Sequence, residues 1–221
     1  GDRKITVTLD EGESYMIATR QENMTITGVL VTSDKEVVVN SGSQHTNNSQ
    51  GTAQDAGFHQ LVPTQALETK YIAVDAGNPD AKDYVVLIAI ENNTTFTING
   101  VSGGTDGKGR TVPATLSAGQ WFTYYFDDTH YKAYYIESNN RLYLYHASSY
   151  GTTEFGMDIL PPISECIGST QLDFERPGAN ASAYVIVPTS GLSSLRFRNQ
   201  PYTTYATNVD PDGGGSLPAA Q

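Results

Sequence analysis

Thr8-Leu9-x-x-Gly12, near the start of the chain, recurs as Thr115-Leu116-x-x-Gly119, and in both places an aromatic residue follows three positions later, Tyr15 and Phe122. A glycine there allows the positive φ of a tight connection between antiparallel strands. These copies stand 107 residues apart, and further segments repeat in the same order. VTSDKEVVV (31–39) matches IESNNRLYL (136–144) at an offset of 105, QLVPTQ (60–65) matches ILPPIS (159–164), and 71–87 matches 171–187 at 100. Last, TFTING (95–100) answers LRFRNQ (195–200), with Phe96 against Leu195 and Ile98 against Phe197. Collinear matches with a drifting offset are what short loop deletions leave in a duplicated chain. The expected organisation is therefore a first β unit over 1–105, a related second unit over 106–207 and a Gly/Pro-rich tail or linker over 208–221.

Helical periodicity is almost absent. Gly, Pro, Asn, Ser and Thr interrupt the chain every ten or so residues, and the runs between them are rich in Val, Ile, Tyr, Phe and Thr. The spacing predicts strands at 4–9, 14–19, 24–32, 36–41, 70–75, 84–90 and 94–100. A second set is expected at 120–126, 131–137, 141–147, 170–175, 183–189 and 194–199. LVP and LPP supply a crossing that cannot lie in a central strand. The fold class is all-β: two tandem antiparallel sandwich or jelly-roll-like units of about 100 residues each.

Thirteen basic against 24 acidic residues give a formal net charge of −11, which argues against nucleic acid, whose binding needs clustered Lys and Arg. No run approaches the roughly 18 apolar residues of a membrane helix, so membrane insertion is not expected. A single cysteine, Cys166, leaves no internal disulfide framework and reads as an incidental thiol. With no signal peptide before Gly1 and the linker-like end, the chain reads as a mature or excised part of something longer.

Chemistry-bearing residues are dispersed. His45, His59, His130 and His146 stand singly, without the close spacing that places two ligands on one face. Loop carboxylates fall at Asp75, Asp80, Asp83, Asp106, Asp210 and Asp212, and of these Asp80 and Asp83 are the candidate calcium ligands, because calcium takes several oxygen donors from such loops. Sequons at Asn23, Asn47, Asn92, Asn93 and Asn180 are of the kind that arises readily in an Asn- and Thr-rich β protein. Residues 121–150 are densely aromatic, and Trp121, Tyr124, Tyr143 and Tyr145 are the candidate ligand-binding residues, since Trp and Tyr faces stack on sugars or anchor protein partners.

These segments together resemble the IgGFc-binding protein N-terminal domain family, a repeat-built β module of secreted mucin-associated proteins and of large secreted or surface bacterial proteins. The resemblance is carried by TLDEGESY and TLSAGQWF, by VTSDKEVVVNSGS (31–43), by DAGFHQLVPTQALETKYIAV (55–74), and by TTFTINGV running into TLSAGQ (94–120). It covers most of residues 5–200 and implies an adhesion or surface-structural module with no catalytic residues to carry over.

The expected function is a non-enzymatic module, secreted or on the cell surface and of bacterial source, that binds a glycan or protein. One alternative is a self-assembling subunit of an extracellular filament or array, through strands left unpaired at a repeat boundary. Another is a carbohydrate-active enzyme domain or its binding accessory, with Asp127, Asp128, Glu154 and Asp158 as the carboxylates.

Overall fold

The structure, a computed structural model, describes residues 4–19, 25–46, 55–75, 82–127, 133–150, 154–163, 169–171, 185–187, 189–197 and 200–201. Among these the chain is all-β, with two 3-10 turns and no α-helix. The strands are β1 (Asn40–Thr46), β2 (Asp55–Gln60), β3 (Lys70–Val74), β4 (Tyr84–Ala89), β5 (Phe96–Ile98), β6 (Trp121–Tyr125), β7 (Ala133–Ser138), β8 (Leu142–Tyr150), β9 (Glu154–Ile159), β10 (Arg196–Phe197) and β11 (Gln200–Pro201).

Two sheets enclose the core. One has the order β3-β7-β5 and the other β6-β4-β8-β9, every pairing antiparallel. Alternation explains the packing, because successive side chains of a strand point to opposite faces. In β4, Val85, Leu87 and Ala89 are buried while Tyr84, Val86 and Ile88 are less so, and in β3 Tyr71 and Ala73 alternate with Ile72 and Val74. Phe96 and Ile98 of β5, Ile136 of β7, and Leu142 and Leu144 of β8 join the same apolar cluster, so the sheets form a sandwich. Tyr71 crosses it: its hydroxyl donates to the Leu142 carbonyl at 2.6 Å. Phe126 and Tyr134 stack within it at 4.0 Å between ring centres.

Asn99 and Gly100 both have positive φ, 51° and 77°, the requirement of the tight Asn-Gly hairpin turn in TING. The strands on either side of the boundary expected at 105–106 pair with one another: β3, β4 and β5 find their partners among β6, β7 and β8.

Residues 4–19 and 25–39 were expected to supply three strands and the start of a fourth, yet the structure assigns none there; their ladder amides have no partner strand among the described residues. Ile5, Val7, Leu9 and Val31 lie exposed as a result. Residues 185–187 likewise carry no strand, and 189–194 form a 3-10 turn. The expected strand at 170–175, Cys166, His130 and the tail over 208–221 fall wholly or mostly outside the described residues.

Candidate binding face

The outward positions of β6, β4 and β8 form rows across the four-stranded sheet. Trp121, Ile88 and Tyr143 make one, Thr123, Val86 and Tyr145 the next, and Tyr125, Tyr84 and Ala147 the third, in which Ala147 is buried. Trp121, at the start of the edge strand β6, is 43% exposed, whereas Tyr143 and Tyr145 are half-buried. The rings of Tyr143 and Tyr145 are near-parallel at 6.1 Å, and those of Tyr84 and Tyr125 lie 5.0 Å apart. Cross-strand aromatic neighbours of this kind stiffen a sheet surface. Burial raises the pKa of Tyr143, and pushes that of Tyr145 up to about 12, so both stay protonated at neutral pH. Beside Trp121 lies an open depression of about 560 Å³, lined also by Thr111, Pro113, Thr115 and Gln120.

One corner of the face is covered by cations. The Lys108 ammonium sits 3.8 Å from the Tyr125 ring centre and the Arg110 guanidinium 4.6 Å from it, both within cation–π range. Asp106 fixes the loop that carries them. Its buried carboxylate accepts from the Lys108 and Arg110 amides at 3.0 and 2.9 Å and forms an ion pair with the Arg110 guanidinium at 2.6 Å. Burial alone would raise the Asp106 pKa, but the Arg110 side chain and the backbone donors hold it below the ordinary carboxylate value.

Trp121, Tyr143 and Tyr145 therefore share one face, and Tyr124 does not join them. Period-2 alternation turns Tyr124 inward with Phe122, and its ring lies 6.4 Å from Phe126 and 6.2 Å from Tyr134. Of the calcium candidates, Asp80 lies outside the described residues. Asp83 is buried, its carbonyl accepting from the Phe126 amide at 2.9 Å, and its charge acts on His146. No group of three or more His, Cys, Asp or Glu positioned to hold a metal occurs among the described residues.

The candidate carboxylates are dispersed in role. Asp127 accepts from the Tyr134 hydroxyl at 2.7 Å, and Asp158 stands exposed with its carboxylate 3.4 Å from His59 Nδ1. Asp128 and the Glu154 side chain lie outside the described residues. The His59–Asp158 contact and the cleft around it went unseen in the sequence, where the two residues are 99 positions apart and neither has a motif.

Fold and face together define an all-β sandwich module whose distinctive described surface is aromatic. The chain belongs to the IgGFc-binding protein family: the family model described as IgGFc binding protein matches residues 1–217. No curated protein and no solved structure matches it. Among the described residues, no helix is long and apolar enough to cross a membrane.

Proposed function

We propose that this chain is a non-catalytic extracellular binding module, secreted or displayed on a surface, that holds a protein partner against the outer face of β6, β4 and β8. The observation that carries this reading is the row Trp121–Ile88–Tyr143, with Tyr145 stacked beside it and Trp121 open to solvent. Trp and Tyr on rigid strands are the residue types that anchor interfaces, because they offer large contact areas at low entropic cost. Membership in a family described as IgGFc binding supports a protein as the partner class. A glycan is the second reading, favoured by the open depression beside the Trp121 ring, where a sugar ring could stack.

The test is a screen of immobilised proteins, immunoglobulin Fc among them, and of glycans, with the wild-type chain, Trp121→Ala and Tyr143→Ala. Loss of one anchor should weaken binding roughly tenfold or more, with each variant still folded by its melting transition and Trp121→Ala, the more exposed site, close to wild type in stability. Wild-type binding that survives both substitutions would sink the proposal.

A further inference from the structure

Several local geometries occur twice, at the spacings of the repeated segments. The Glu13 amide donates to the Asp10 carbonyl at 3.1 Å and the Asp10 amide to the Glu13 carboxylate at 2.9 Å; 107 residues on, Gln120 and Ser117 make the same two bonds at 2.9 and 2.8 Å. Ser33 Oγ donates to the Lys35 carbonyl at 2.6 Å, as Ser138 Oγ does to that of Asn140. The β1–β2 register, Asn40 opposite Gln60, is the β8–β9 register, Tyr145 opposite Ile159, displaced by 105 on one strand and 99 on the other. Phe197 faces Gln200 as Ile98 faces Val101.

What differs between the copies is cover. Val31 is 51% exposed where its counterpart Ile136 is 0%, Val37 is 54% where Leu142 is 0%, and Val185 is 47% where Val85 is 0%. In the sandwich, β6, β7 and β8 are covered by β3, β4 and β5. The counterparts of those two groups fall within residues 14–46 and 170–201, and of these the described residues 14–19, 25–39 and 185–187 belong to no sheet.

We propose that the described residues 15–17, 39–41 and 185–187 of the same chain pair with one another as a second sheet of the kind that β6, β4 and β8 form. Residues 185–187 would lie between 15–17 and 39–41, as Val85–Leu87 lies between Phe122–Tyr124 and Leu144–His146. Transferring the registers sets Val185 opposite Ile17 and Val187 opposite Tyr15, all four apolar or aromatic, and Val185, Ile17 and Tyr15 are exposed in the described structure.

The cover comes from the same chain because of where the copies touch. His59 meets Asp158, its own counterpart, at 3.4 Å, and β2 packs beside β9. A residue that meets its own counterpart marks a two-fold relation, which closes a pair, whereas a head-to-tail contact does not. The cleft there, about 430 Å³, has Gln60 and Val62 in its wall together with their counterparts Ile159 and Pro161.

The test uses the full chain with Cys166→Ser, Ile17→Cys and Val185→Cys under a disulfide oxidant. The expected result is an intramolecular disulfide, read as a monomer that migrates faster without reductant and has lost its free thiols. A control with Leu30→Cys and Val185→Cys should stay reduced, because Leu30 corresponds to Tyr135 of β7, in the opposite sheet. Free thiols persisting in folded protein that carries Ile17→Cys and Val185→Cys would overturn the proposal, and so would a disulfide between two chains, which would assign the cover to a second copy. Hydrogen exchange on the unsubstituted chain tests the same pairing without any engineered thiol: amides of 15–17 and 185–187 should be protected as strongly as those of 121–125. Exchange at the free-chain rate would equally overturn it.

Discussion

The Tyr71 hydroxyl reaches from β3 to the Leu142 carbonyl of β8 at 2.6 Å, so one buried hydrogen bond ties the two sheets across 71 residues of sequence. Both residues are fully buried. Tyr71→Phe removes the donor and leaves the Leu142 carbonyl short of it, which should lower stability by about 1–3 kcal/mol. A shifted midpoint at unchanged slope in a denaturant titration would show it.

Asp106 should matter for the loop over the aromatic face more than for the core. Asp106→Ala removes the acceptor of two loop amides and the carboxylate partner of Arg110, at a cost of about 2 kcal/mol, moderated because Arg110 is half in water. The folded pKa is held below the ordinary 3.8, so the contribution is present above that value and is lost as pH falls through the lower folded one. A melting series against pH should show this difference between wild type and Asp106→Ala vanishing only at strongly acid pH.

His146 should make the protein acid-sensitive at a milder pH. Burial lowers its pKa from 6.5 while the nearby Asp83 charge opposes the shift, and its Nε2 is buried without a hydrogen-bond partner. The unfolded chain then binds the proton first, so stability falls as pH drops below about 6.5 until the folded value is reached. His146→Gln should flatten that part of the stability curve, and an unchanged slope would remove the assignment.

Calcium held by Asp80 and Asp83 is a separate proposal with a direct consequence. A ligand that binds only the folded state stabilises it, so chelator should lower the melting temperature and added calcium should restore it. A melting curve indifferent to both would end that proposal.

The strands of the core were legible because their alternation is clean. KYIAVD, YVVLIAI and RLYLYHA each place apolar side chains two apart, and β3, β4 and β8 form there. By contrast β2 and β9 went unread, because DAGFHQ and EFGMDI carry a glycine in mid-strand and no sustained alternation; their place is set by pairing with β1 and β8. The expected strands of 4–39 have good alternation, but among the described residues no neighbouring strand lies against them, and alternation alone does not say which neighbour a strand pairs with. At the binding face, aromatic density is legible in the sequence while strand parity divides the candidates: Trp121 and Tyr124 are three apart and so cannot share a side of β6.

The interleaving of β3–β5 with β6–β8 also has a consequence for synthesis. A chain made from its N-terminus presents Tyr71, Val85 and Leu87 well before Leu142 and Leu144 exist to cover them, and such long-range pairing is slow. Folding of this sandwich must wait until residues near 150 have cleared the ribosome, and the waiting strands are the ones that need shielding from aggregation. Conversely, a protease cut in the loop between β5 and β6 of the finished protein should leave two fragments held together by the sheets they share.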